Sequence, residues 1–145
     1  MVSDVTPGHE SDLGWLLRGL VEQVPHTRSA VLLSADGLAT AAYGLGPDHA
    51  DQLSAIASGL FSLARTAAAR FGGSDGVRQV VAELDDTLLF VSSAGYGSVL
   101  TVLADREADA GVLGYEMLQL VKSVRPFLAT PARQPSGGQR TGQVT

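Results

Sequence analysis

The sequence predicts an α+β fold: a five-stranded antiparallel sheet between helices, in the order αββαβββα. Three observations carry this. Apolar residues recur at helical spacing in three segments, Leu13–Val24, Asp48–Phe71 and Leu113–Leu128. Five short apolar runs are separated by tight turn signals, which makes neighbouring strands antiparallel. Two of those runs are almost continuously hydrophobic, the pattern of strands covered on both faces. Helices on both faces of one sheet satisfy all three.

The elements follow in order. Ser11 or Asp12 can cap a first helix whose stripe is Leu13, Leu16, Leu17, Leu20, Val21 and Val24, stopped by Pro25; Trp15 lies off the stripe. Ser29–Ser34 reads as a strand, Asp36-Gly37 as a hairpin turn, and Leu38–Tyr43 as the returning strand. Pro47 opens the long helix from Asp48 to Phe71, which would run about 36 Å at 1.5 Å per residue. Gly72-Gly73 ends it. Three strands come next: Val77–Leu84, Thr87–Ser92 and Ser98–Leu103, joined by Asp85-Asp86 and by Ala94-Gly95-Tyr96-Gly97. The first of them carries Arg78, Gln79 and Glu83 and is therefore the candidate edge strand. A last helix presents Leu113, Met117, Leu120, Val121, Val124 and Leu128, with Pro126 near its end.

The 145 residues fit one domain, placed at residues 11–130 between a flexible start (1–10) and a disordered, apolar-poor tail (131–145). A net charge of −5 gives no basic surface for phosphate, which argues against nucleic acid. Only 17% of residues are charged, so part of the surface is a candidate for burial in a partner. The absence of cysteine removes disulfides, thiolate metal sites and thiol nucleophiles. No segment has a signal-peptide pattern or the length of a membrane span, and the expectation is a cytoplasmic protein without membrane insertion.

No constellation for catalysis stands out. His9, His26 and His49 fall near helix ends or loops, none at metal-ligand spacing from another, and capping or surface roles account for them. Asp85-Asp86 is explained by turn chemistry. Gly44-x-Gly46-Pro47 precedes a helix but lacks the third glycine of a dinucleotide site and the Gly-Lys-Ser/Thr of a P-loop. Gly95-Tyr96-Gly97 is a hairpin turn, and the only lysine, Lys122, sits in the last helix. The expectation is no enzyme, no cofactor and no metal.

The long helix is the most informative segment. Leu53, Ile56, Ala57, Leu60, Ala64, Ala67, Ala68 and Phe71 form the stripe expected to face the sheet. At about 100° per residue, Ala55, Gly59, Ser62 and Thr66 line up opposite. A solvated helix back usually carries Glu, Lys and Arg, and glycine inside a helix costs about 1 kcal/mol relative to alanine. The stripe reads either as the neutral surface of an alanine-rich helix or as a face that another helix approaches closely.

The chain resembles the roadblock / dynein-light-chain family in its bacterial form. The residues that carry this are Leu16-Leu17-Arg18-Gly19-Leu20, Ala30–Leu38 with its Ser34-Ala35-Asp36-Gly37 turn, Ala55-Ile56-Ala57-Ser58-Gly59-Leu60, and Leu89-Phe90-Val91-Ser92 through Gly95-Tyr96-Gly97-Ser98-Val99-Leu100. The resemblance covers about residues 10–128 and implies a roadblock-like sandwich, similar in shape to profilin. It also implies a homodimer joined through the long helix and the following edge strand, with Ala55, Gly59, Ser62, Thr66, Val77, Gln79 and Val81 at the interface. A small Ras-like GTPase is the implied partner, with a sensor-kinase-like membrane protein as a further one. The role would be regulatory or scaffolding, with any GTP hydrolysis belonging to the partner. Arg65, Arg70 and Arg78 are candidates for contact, none placed as an arginine finger. The competing reading is a small-molecule-sensing profilin- or PAS-like domain, which would need a cavity in a core rich in small side chains.

Overall fold

The computed structural model describes residues 9–74 and 76–129. Eight elements follow one another as expected: α1 (His9–Gln23), β1 (Thr27–Leu33), β2 (Ala39–Tyr43), α2 (Pro47–Phe71), β3 (Gln79–Glu83), β4 (Thr87–Gly95), β5 (Ser98–Asp105) and α3 (Ala110–Ala129). The fold is the expected five-stranded antiparallel sheet flanked by helices, with spatial order β2-β1-β5-β4-β3. The start at 1–8 and the tail at 130–145 lie outside the described residues. Helix α1 already begins at His9, ahead of the Ser11 or Asp12 cap.

The sheet joins two local units. A β1–β2 hairpin pairs through β1 with β5 of the β3-β4-β5 meander. The Asp36-Gly37 turn closes as the sequence dictates: Gly37 N donates to Ser34 O (2.9 Å), and Ser34 N to Leu38 O (2.9 Å). Glycine is obligatory at Gly44, where φ is +89° and a Cβ would lie 2.5 Å from the Arg28 carbonyl oxygen.

Both faces are covered, and each has its own core. On one face α1, with Val24 just after it, and α3 pack Leu17, Leu20, Val24, Leu113, Met117 and Val124 against Leu32, Phe90, Leu100 and Val102. On the other, α2 alone sets Ala50, Leu53 and Ala57 on Val31, Leu33, Leu89, Val91 and Val99. This explains why β1, β4 and β5 are nearly continuous apolar runs: alternate residues serve opposite cores. The one buried polar group in the middle of β5, Thr101, is satisfied, its Oγ1 donating to the Phe90 carbonyl oxygen at 2.9 Å.

The edges confirm the patterning argument. β3 alternates exposed and half-buried residues and pairs only with β4, so its outer backbone groups are open. It is shorter than expected: Val77, Arg78 and Leu84 flank the strand rather than belong to it.

Candidate functional site

α2 and β3 follow one another in sequence and share the second core, where Val80 and Ala82 of β3 pack under α2. The long helix is aligned over the sheet by Ala50, Leu53, Ser54 and Ala57, its buried residues. Ser58, on one side of that contact, lies against the β1–β2 turn, its Oγ 3.2 Å from where a Cβ on Gly37 would stand. Ile56 and Leu63 lie about 160° and 140° around the helix from Ser58. They therefore occupy the opposite flank of the helix, turned away from the β1–β2 turn.

This corrects the expected core stripe. Leu53 and Ala57 do face the sheet, and Leu60 packs half-buried against that core. Ile56, however, is 55% exposed and Phe71 88%, and Ala67 is exposed as well. Leu63, which the expected stripe did not include, is 70% exposed. The physical reason is width. Apolar residues cover more of the helix circumference than one sheet can shield, so the residues at the margin of the arc remain in solvent. Phe71 is the last helical residue before Gly72, without neighbours to cover it.

Ala55, Gly59, Ser62 and Thr66 are all exposed, as the spacing dictates. No heavy atom lies within 4 Å of a Cβ built on Gly59, so this glycine is not required by the protomer's own packing. Thr66 Oγ1 donates to the Ser62 carbonyl oxygen (3.1 Å), and Ser62, Arg65, Thr66 and Ala69 line a shallow depression of about 350 Å³. Ile56 and Leu63 lie beside this small-residue stripe. Small exposed residues and large exposed apolar residues thus adjoin on the helix.

In β3, Val80 and Ala82 turn half-buried toward the α2 core, while Gln79, Val81 and Glu83 face the side of α3. Val81 is 49% exposed and Leu84 50%. Val77 is half-buried and Gln79 exposed, with the Gln79 amide 3.7 Å from where a Cβ on Gly114 of α3 would lie. A groove of about 600 Å³ runs between β3 and α3, lined by Arg78, Gln79, Ser92, Leu118 and Arg125 among others. A smaller one, about 210 Å³, runs between α1 and α3 beside Trp15, whose 72% exposure places it off the α1 core stripe as expected.

The structure also assembles one group of potential ligand atoms from segments distant in sequence. His26, Asp105 and Glu107 bring one donor atom each within 4.8 Å of one another. Asp105 is already engaged there, taking Arg28 Nε at 3.0 Å on its Oδ1. His26 and Glu107 are exposed. His49 is exposed in the first turn of α2, and Lys122 is solvated on α3.

Comparison with known proteins agrees with this architecture. The sequence matches the Roadblock/LC7 domain over residues 13–104. A crystal structure of a Roadblock/LC7 domain from Streptomyces avermitilis is 66% identical, with a TM-score of 0.78 over 81% of this chain and 98% of that one. A second Roadblock/LC7 domain structure from that organism is 39% identical, with a TM-score of 0.63 over 77% of this chain and 96% of that one. Myxococcus xanthus MglB, at 12% identity, shares the fold, with a TM-score of 0.77 over 91% of this chain and 98% of that one. No curated protein sequence matches the chain.

Proposed function

The chain belongs to the Roadblock/LC7 domain family, and we propose that it is a dimeric scaffold that binds a small Ras-like GTPase and modulates its cycle. Domains of this family are non-catalytic regulators, and membership supports a general regulatory role near small-GTPase systems. The finer reading rests on one observation: next in sequence to the open edge strand β3, α2 leaves the large apolar residues Ile56 and Leu63 exposed beside the uncovered Gly59.

An open strand edge is a template for pairing, and proteins usually blunt or cover it. A second copy related by a twofold axis covers it with its own β3 and at the same time buries both α2 flanks. Ala55, Ser62 and Thr66 then leave room for the second α2, and Val77, Gln79 and Val81 lie along the joined edge. The paired α2 helices form a platform wider than either protomer offers, the surface on which the GTPase docks. Any hydrolysis is the partner's, because the sequence has no P-loop.

The test is complex formation between the purified chain and a small Ras-like GTPase from the same genome, loaded in turn with GDP and a non-hydrolysable GTP analogue. Co-elution with one nucleotide state, and a changed hydrolysis rate, is the expected result. Absence of a complex in both states with every such GTPase of that genome would overturn the reading.

A further inference from the structure

The charges along the open edge are sorted by position. Arg78 stands just before β3; Glu83 ends it, and Asp85 and Asp86 follow in the turn to β4. At the basic end, Arg78 and Arg125 line the same groove, and no carboxylate is among its lining residues. Neither guanidinium has an ion pair or hydrogen bond among the described residues, although the chain as a whole carries a net charge of −5. At the acidic end the nearby cations are already engaged. Arg106 Nη2 pairs with Glu83 Oε2 at 3.2 Å, and Arg28 with Asp105. The Asp85 carboxylate has no partner among the described residues, and that of Asp86 only accepts the Thr87 hydroxyl at 3.0 Å. Each protomer therefore displays unpaired positive charge at one end of its open edge and unpaired negative charge at the other.

We propose that the two ends meet across the dimer, Arg78 of each protomer pairing with the Asp85–Asp86 turn of the other, and that this pair of contacts fixes the polarity and register of the β3–β3 junction. The proposal rests on the dimer reading above. In an antiparallel pair centred on Val81, the middle of β3, Gln79 lies opposite Glu83 and Arg78 opposite Leu84, beside Asp85. The twofold axis repeats the contact, so each substitution acts twice. Parallel pairing would set Arg78 beside Arg78 and the acidic turn beside itself, and is disfavoured by like-charge repulsion. The same pattern discriminates among partners: a related chain without this sorting of charge would meet unpaired or repelling groups at both ends. Backbone pairing and α2 burial supply the affinity, and the ionic contacts supply the choice.

Charge reversal on exposed positions tests this without touching either core. Arg78→Asp, alone, and Asp85→Arg/Asp86→Arg, as a double variant, are compared with the unaltered chain by sedimentation equilibrium at low and high salt. Each variant is expected to weaken its homodimer by about tenfold or more at low salt, with the difference shrinking as salt screens the charges. Mixed together, the two variants regain complementary charge at both ends. The expected product is a heterodimer of near-original affinity, which also shows that both variants are folded. Homodimers unaffected by either substitution, or no heterodimer on mixing, would overturn the ionic contact while leaving the dimer standing. An unaltered chain that is monomeric would instead remove the dimer reading itself.

Discussion

Phe90 is 1% exposed and stands at the centre of the α1/α3 core, with its carbonyl oxygen holding the Thr101 hydroxyl. Removing its ring loses transfer free energy and leaves a cavity that rigid neighbours cannot fill. Phe90→Ala is expected to cost about 3–5 kcal/mol, read as a lowered midpoint in chemical denaturation. Gly59 makes the opposite case. Its position is open in the protomer, so Gly59→Leu removes a helix-interior glycine and should hold or slightly raise helical stability. The added side chain projects where a second α2 would approach, so the dimer should be lost while the circular-dichroism spectrum is kept. A destabilised, partly unfolded Gly59→Leu protein would show that the site is packed after all. The burial of Phe90 was legible from its continuous apolar run, and the exposure of Gly59 from its place opposite the core stripe. The His26–Asp105–Glu107 group was not, because residues brought together by β1–β5 pairing leave no spacing to read.

At the scale of elements, periodicity located all three helices and all five strands, since each apolar run answers to a core on a known side of the backbone. What it could not do was divide the apolar arc of α2 between the core and the exposed face. Ile56 and Ala57 are neighbours on one apolar arc and look alike to a helical wheel, yet one is half in solvent and the other fully buried. The available signal was the width of the arc, broader than a single sheet needs. The distinction can be measured. Leu63→Glu is expected to leave the melting temperature of the protomer within a few degrees of the original while weakening self-association at least tenfold. Ala57→Glu, a charge buried without a partner, is expected to abolish folding. Equal thermal damage from both would place Leu63 in the core. The open edge of β3 was readable from its alternation of polar and apolar residues, and the structure shows the same edge at the border of the sheet.

For the whole molecule, two cores of unequal construction share one sheet: two helices close the first, a single helix the second, and the edge strand β3 contributes Val80 and Ala82 to the second. Truncation after Pro131 removes a segment with almost no apolar residues, so the melting temperature and the association state should both be unchanged. A drop of more than a few degrees would show that the segment packs. The chain alone is expected to show no saturable GTP binding by calorimetry, given the missing Gly-Lys-Ser/Thr sequence. Everything proposed for the assembled molecule depends on a second copy covering β3 and the α2 flank. Light scattering on the eluting protein at tens of micromolar measures that directly. The account predicts a mass twice the 15.0 kDa of one chain for the unaltered protein, and a single-chain mass for Gly59→Leu. An unaltered protein of single-chain mass, or a Gly59→Leu variant that keeps the doubled mass, would contradict it.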